Sequence, residues 1–153
     1  LVQFESESEN SVSPKIILVS RLIEGEYPRY EEIIPKKFKL NFKISKNLFL
    51  PEIKTAGIFS GRLNEIQLSF IQKKGGVEIK SESPEYGEYK TFLPGKLEGE
   101  DLKISFNWKF LLDGIQATKG EELLFSFSSE EGPAFLQTLE DKTYFYILMP
   151  IKS

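Results

Sequence analysis

The chain has 153 residues, 40% of them hydrophobic and 28% charged, the profile of one globular domain large enough to bury a real core. It contains neither Cys nor His, which excludes disulfide frameworks, thiolate nucleophiles and Cys-ligated metals and removes the commonest general base near pH 7. Twenty basic against 23 acidic residues leave a net charge of −3, so any contact with nucleic acid has to be local or confined to one basic face, because duplex affinity comes largely from phosphate neutralisation.

In chain order, Leu1–Glu5 has no basic stretch ahead of an apolar one and is no signal peptide. No apolar run reaches the roughly 18–20 residues that a bilayer span needs. With no initiator Met, the chain is expected to begin inside a longer protein, with the cytoplasm as its expected compartment. Leu40–Ile44 alternates apolar and polar residues at period two, as do Ile66–Phe70 and Leu102–Phe106, the mark of half-buried antiparallel strands. A helix is predicted over Ser45–Phe59, with Leu48, Phe49, Ile53 and Ala56 on one side. Gly75-Gly76 reads as a two-residue hairpin turn between Ile66–Lys73 and Val77–Ser81. Ser83-Pro84-Glu85, Pro94-Gly95 and Gly132-Pro133 are further turn signals. A second helix is predicted over Asn107–Lys119, with Phe110, Leu111, Ile115 and Thr118 similarly spaced. Ser45 and Asn107 stand where N-caps belong, and the 13 Phe residues predict a Phe-rich core.

The two helices belong to an internal repeat. A shift of 62 positions lays Leu40, Phe42 and Ile44 onto Leu102, Ile104 and Phe106, and Leu48, Phe49, Leu50 and Ile53 onto Phe110, Leu111, Leu112 and Ile115. The two cap residues coincide as well. Each unit is a strand, a helix and then several antiparallel strands, over Gly61–Phe92 in the first and Glu121–Met149 in the second. The predicted class is α+β, a pseudo-twofold domain of two β-α-β-β-β units with two helices side by side on antiparallel sheets.

Catalysis finds little support. Glu31-Glu32 and Glu121-Glu122 are adjacent carboxylates, and neighbours on a strand point to opposite faces, so they do not converge on a substrate. The chain has no Gly-rich phosphate loop and no GxSxG elbow, and Glu130-Glu131 has only scattered partners for a metal. No enzyme activity, cofactor or metal is expected.

Three segments carry a family resemblance. The first is Ser20–Pro35 (SRLIEGEYPRYEEIIP); the second is Ser105-Phe106-Asn107 with Leu111-Leu112-Asp113 following; the third is Tyr144–Ser153 (YFYILMPIKS). In this order and spacing they resemble the C-terminal third of bacterial DNA polymerase III beta subunits, the sliding clamps, over about residues 16–153. Family chains have three such domains, and two chains close head to tail into a ring. The resemblance implies that residues 1–22 end the preceding middle domain and that 23–153 form the C-terminal clamp domain. Glu9–Pro14 departs from the family pattern and reads as an insertion or a junction.

The resemblance also implies a non-catalytic processivity role and three sets of residues. An apolar cleft that captures partner peptides would take its last-domain wall from Pro28, Glu32, Ile33, Ile147, Met149, Pro150 and Ile151, with Pro133 at its border. Apolar walls suit a few anchoring side chains, and Met and Pro tolerate varied partners. Tyr144–Met149 is apolar throughout, so part of it belongs to the core, whereas Pro150-Ile151 is expected to be exposed. Ile58-Phe59 corresponds to the apolar pair at the head-to-tail interface. Lys43, Lys46, Lys54, Lys109 and Lys119 would line the central hole, where diffuse phosphate attraction permits sliding and base reading would stall it. The implied partners are duplex DNA held without sequence preference, the polymerase alpha subunit, clamp-loader subunits, other clamp-binding peptides, and a second copy in the full-length protein. With the first domain missing, the chain itself is expected to be a monomer or a weak self-associate. The alternative is a β-rich protein-interaction module unrelated to clamps and equally without catalysis.

Overall fold

The structure, a computed structural model, describes residues 1–5, 16–26, 29–35, 37–141 and 143–152. The period-two segments form strands, and their apolar faces build one core. After β1 (Val2–Glu5) and β2 (Ile17–Ser20), the first repeat unit contains β3 (Leu40–Ser45), α1 (Lys46–Ile58), β4 (Glu65–Ile71), β5 (Gly76–Ser83) and β6 (Gly87–Pro94). A short β7 (Lys96–Gly99) leads to the second unit: β8 (Leu102–Asn107), α2 (Trp108–Ala117), β9 (Glu122–Phe127), β10 (Ala134–Thr138) and β11 (Phe145–Leu148). Two sheets result, in the orders β11-β10-β9-β3-β7 and β6-β5-β4-β8. Each sheet joins three strands of one unit to the first strand of the other. Among the described residues, β1 and β2 pair only with each other, in a two-stranded sheet of their own. No helix among the described residues is long and apolar enough to cross a membrane.

The registers make the pseudo-twofold explicit. One rung of the four-stranded sheet reads Leu102–Phe70–Val77–Leu93. Its counterpart in the five-stranded sheet reads Leu40–Phe127–Ala134–Leu148. Between the sheets the Phe residues interlock: Phe70 lies 5.1 Å from Phe42 and 4.8 Å from Phe127, and Phe49 reaches from α1 to 5.4 Å from Phe125, all as ring-centroid distances. Offset and edge-on contacts of this kind add to the area that the rings bury.

The helices run antiparallel, each tied by its first residue to the end of the other. Lys46 opens α1, and its ammonium donates to the carbonyl of Thr118 at 2.7 Å, where a cation meets the negative end of the α2 dipole. Trp108, its counterpart under the 62-residue shift, lies against Gly57 near the end of α1; a Cβ there would sit 2.5 Å from the indole ring. Gly57→Ala is therefore expected to lower stability by about 1–3 kcal/mol, despite the better helix propensity of Ala, read as a shifted midpoint in urea unfolding. The buried hydroxyls of Ser81 and Thr138 complete the symmetry, donating to the carbonyls of Ala56 and Lys119 at 2.7 and 2.8 Å.

Three expectations need correction. Gly75 alone makes the β4–β5 turn: Gln72–Lys74 winds into a 3-10 turn, Gly75 adopts φ 64°, and Gly76 already belongs to β5. Only Asn107 caps through its side chain, accepting from the Lys109 N–H at 3.0 Å, whereas Ser45 makes no such bond. Leu48 and Phe110 do not join the buried helix faces and remain 53% and 56% exposed.

Candidate functional site

The last strand separates core from surface by alternation. Tyr146 and Leu148 turn inward: Leu148 is buried, and Tyr146 lies so close to Gly114 of α2 that a Cβ there would meet its ring. Phe145 and Ile147 turn to the outer face of the five-stranded sheet, and Met149 continues that side at 56% exposure. A ring seam covers part of the face: Phe145 stacks on Phe135 at 5.2 Å, Tyr30 lies 6.0 Å from Phe145, and Phe38 lies 6.1 Å from Phe135. These contacts lay residues 29–35 and 37–38 against the sheet, with Ile33, directly after the 3-10 turn Tyr30–Glu32, at 49% exposure. Extending the Ala134↔Leu148 register by one step sets half-buried Pro133 opposite Met149. Ile147, Met149 and Pro133 thus share one apolar face, a strip at the β11 edge, and Ile33 follows the turn whose Tyr30 docks beside Phe145.

Two other residues expected in the cleft behave differently. Glu32 is exposed and faces Arg29 at 3.7 Å. Ile151 is half-buried and held away from the strip, its N–H donating to the Ser105 carbonyl at 2.9 Å; the expected exposed Pro150-Ile151 is half-buried throughout. Pro28 lies outside the described residues, as does Glu9–Pro14.

At the end of α1 the apolar pair divides. Ile58 is 66% exposed, while Phe59 is half-buried and stacks on Tyr89 at 5.5 Å with an interplanar angle of 18°. The Tyr89 hydroxyl donates to the Glu52 carboxylate. Burial, and then the neighbouring Glu52 carboxylate, push the Tyr89 phenol above its ordinary value of 10.0. A raised phenol pKa means stability that is fully present below the ordinary value and lost as pH climbs through the folded-state value. Tyr89→Phe should therefore lessen the alkaline fall in stability above about pH 10, checked by urea midpoints across that range. Tyr146, also raised by burial, keeps its own share of the fall.

The five lysines separate. Lys54 and Lys109 stand exposed on the helices, with Lys109 5.9 Å above the Trp108 ring. Lys46 is engaged with the α2 carbonyls. Lys43 lies between Phe42 and Ile44 on β3, and strand alternation turns it to the sheet face opposite the helices. Lys119 follows the end of α2, near Asp141, whose carboxyl is held below its usual range mainly by hydrogen bonds from Thr143. Phe110 adds an exposed ring between Asn107 and Gly114, along the side where β11 crosses α2. A second concavity, lined by Gly61, Arg62, Leu63, Lys80 and Glu82, lies apart from the strip with mixed charges on its walls.

Known proteins share this fold. Residues 31–152 match the family model of the DNA polymerase III beta subunit, C-terminal domain; the chain belongs to this family. The beta sliding clamp of Bacillus subtilis is 31% identical over 141 residues, spanning 90% of this chain and 37% of that protein. The beta sliding clamp of Streptomyces coelicolor is 30% identical over 139 residues, 87% and 36% of the respective chains. The crystal structure of the Bacillus subtilis DNA polymerase sliding clamp superposes with a TM-score of 0.81 at 32% identity, over 88% of this chain and 36% of that one. The fold is the α+β sliding-clamp domain, and membership of the family sets aside an unrelated β-rich module. The chain spans little more than a third of the curated relatives it matches.

Proposed function

We propose that the chain acts as the C-terminal domain of a sliding clamp, a non-catalytic processivity factor of the cytoplasm that encircles duplex DNA in its assembled ring. In this reading it supplies one wall of the cleft through which polymerase, clamp-loader and repair proteins are tethered by short peptides. One observation carries the proposal: Ile147 and Met149 stand on the outer face of an edge strand whose inner face completes the core, and the segment bearing exposed Ile33 docks beside it through Tyr30 and Phe145. Exposed Met149 and half-buried Ile147 side by side at a sheet edge suit an extended peptide that offers a few large anchors.

The rest of the assembly fits the same reading. Ile58 would make the head-to-tail contact, with Phe59 behind it, held by Tyr89. Residues 1–22 would close the preceding domain; Phe4, Ile17, Leu18 and Val19 of the β1–β2 sheet are all more than half exposed, as expected of a sheet parted from its own core. Lys54 and Lys109 would face the DNA, while exposed Asp113 one turn after Lys109 on α2 and the net charge of −3 keep the attraction diffuse. Lys46 serves the fold instead.

The test is fluorescence anisotropy of a labelled extended peptide bearing Leu and Phe anchors. With one wall of the cleft present, weak saturable binding in about the millimolar range is expected, competed by the unlabelled peptide. Absence of any saturable rise up to the solubility limit would overturn the proposal.

A further inference from the structure

The two halves of the domain differ in one strand. In the first half, the chain leaves Leu93, passes Pro94 and Gly95, and returns as β7, where Lys96 pairs with Lys43 and the ladder continues to Gly99 opposite Leu40. Lys43 corresponds to Ser105 under the 62-residue shift, and Leu93 and Leu148 occupy equivalent rungs. Three residues beyond Leu93 stands Lys96; three residues beyond Leu148 stands Ile151, whose N–H bonds to Ser105 at 2.9 Å. The tail therefore meets β8 at the rung where β7 meets β3. It is the stub of a fifth strand for the four-stranded sheet.

We propose that this stub positions the cleft wall: Ile151 anchors the tail on β8 and thereby sets where Met149 stands. The inference rests on the cleft reading above and assigns Ile151 a different part in it, as a positioning residue that need not touch the peptide. The intervening Pro150 transmits the anchor. Its ring fixes its own φ, and its Cδ confines Met149 to extended conformations, so the segment from Met149 to Ile151 has little freedom once one end is bonded. Met149 would otherwise be a long side chain on a loosely held segment, and ordering it would be charged against peptide affinity. The bond joins β8, the strand that leads straight into α2, to the surface strip on the other sheet.

The experiment compares four variants for binding the labelled Leu/Phe peptide, alongside the methyl resonance of Met149 and the thermal midpoint. Ile151→Pro removes the donor N–H and is expected to weaken binding by about threefold to tenfold, the range of one hydrogen bond. It should also move the Met149 methyl toward its random-coil position with the thermal midpoint nearly unchanged. Ile151→Val and Ile151→Ala keep the amide and should retain most of the affinity. Met149→Asp, which acts on the wall directly, should abolish binding. If Ile151→Ala loses as much as Ile151→Pro, the side chain contacts the peptide and the positioning role is wrong. If Ile151→Pro binds normally while Met149→Asp does not, the anchor is wrong and the cleft stands. If Met149→Asp binds normally, the cleft reading falls and this inference with it.

Discussion

Phe127→Ala is expected to lower the stability of the chain by about 3–5 kcal/mol, the range for removing a fully buried aromatic ring. The ring is wholly inaccessible and lies 4.8 Å from Phe70, 6.2 Å from Phe125 and 6.4 Å from Phe106. It therefore joins the two sheets as well as the two repeat units, and its loss leaves a cavity whose walls are other rings with few ways to collapse. Against a total of about 5–15 kcal/mol for a domain of this size, the change is about a fifth or more of the whole. Urea unfolding monitored through Trp108 measures it. Phe92, 38% exposed on the edge strand β6, gives the contrast: Phe92→Ala should cost about 1 kcal/mol or less.

Met149→Asp should cost little stability and most of the peptide affinity. The side chain is already half in water and belongs to no buried cluster, so the folded state loses little. A peptide anchor packed on it would instead meet a carboxylate that must be desolvated, with no cation among the apolar strip to receive it. The loss of apolar contact alone is worth about 1.5–3 kcal/mol, so at least a tenfold weakening is expected. Isothermal titration with the Leu/Phe peptide, beside a thermal melt of the variant, separates the two effects.

Much of the fold was legible because the repeat units announce themselves locally. Leu40, Phe42 and Ile44 alternate with polar residues, and so do their counterparts at 102, 104 and 106, so both the strands and their inward faces could be read. The helix starts followed from Ser45 and Asn107 even though only Asn107 caps through its side chain. What could not be read depends on distant contacts. Lys46 looks like any helix-surface lysine until α2, some 70 residues further on, presents its terminal carbonyls. Leu48 and Phe110 each stand one residue before a buried neighbour, Phe49 and Leu111, and only the packed sheets reveal which of the two faces inward. Lys43 is a different case: its parity with Phe42 already placed it on the face away from the helices. At the site, alternation along Phe145–Met149 distinguishes strip from core once Leu148 is known to face inward, but the run is apolar at every position, so no periodicity marks the phase. β7 and the tail stub carry no alternation of their own, and only the registers of the two sheets disclose their equivalence.

The central claim, that the outer face of β11 is one wall of a peptide cleft, is tested most directly by mapping amide and methyl shifts of the labelled chain during titration with the Leu/Phe peptide. Shifts should concentrate at Ile33, Ile147 and Met149 and extend to Ala134 beside Pro133, with the concavity around Arg62 and Lys80 silent. Saturable shifts centred on that concavity, or on the exposed helix face around Lys54, with Ile147 and Met149 unmoved, would contradict the account.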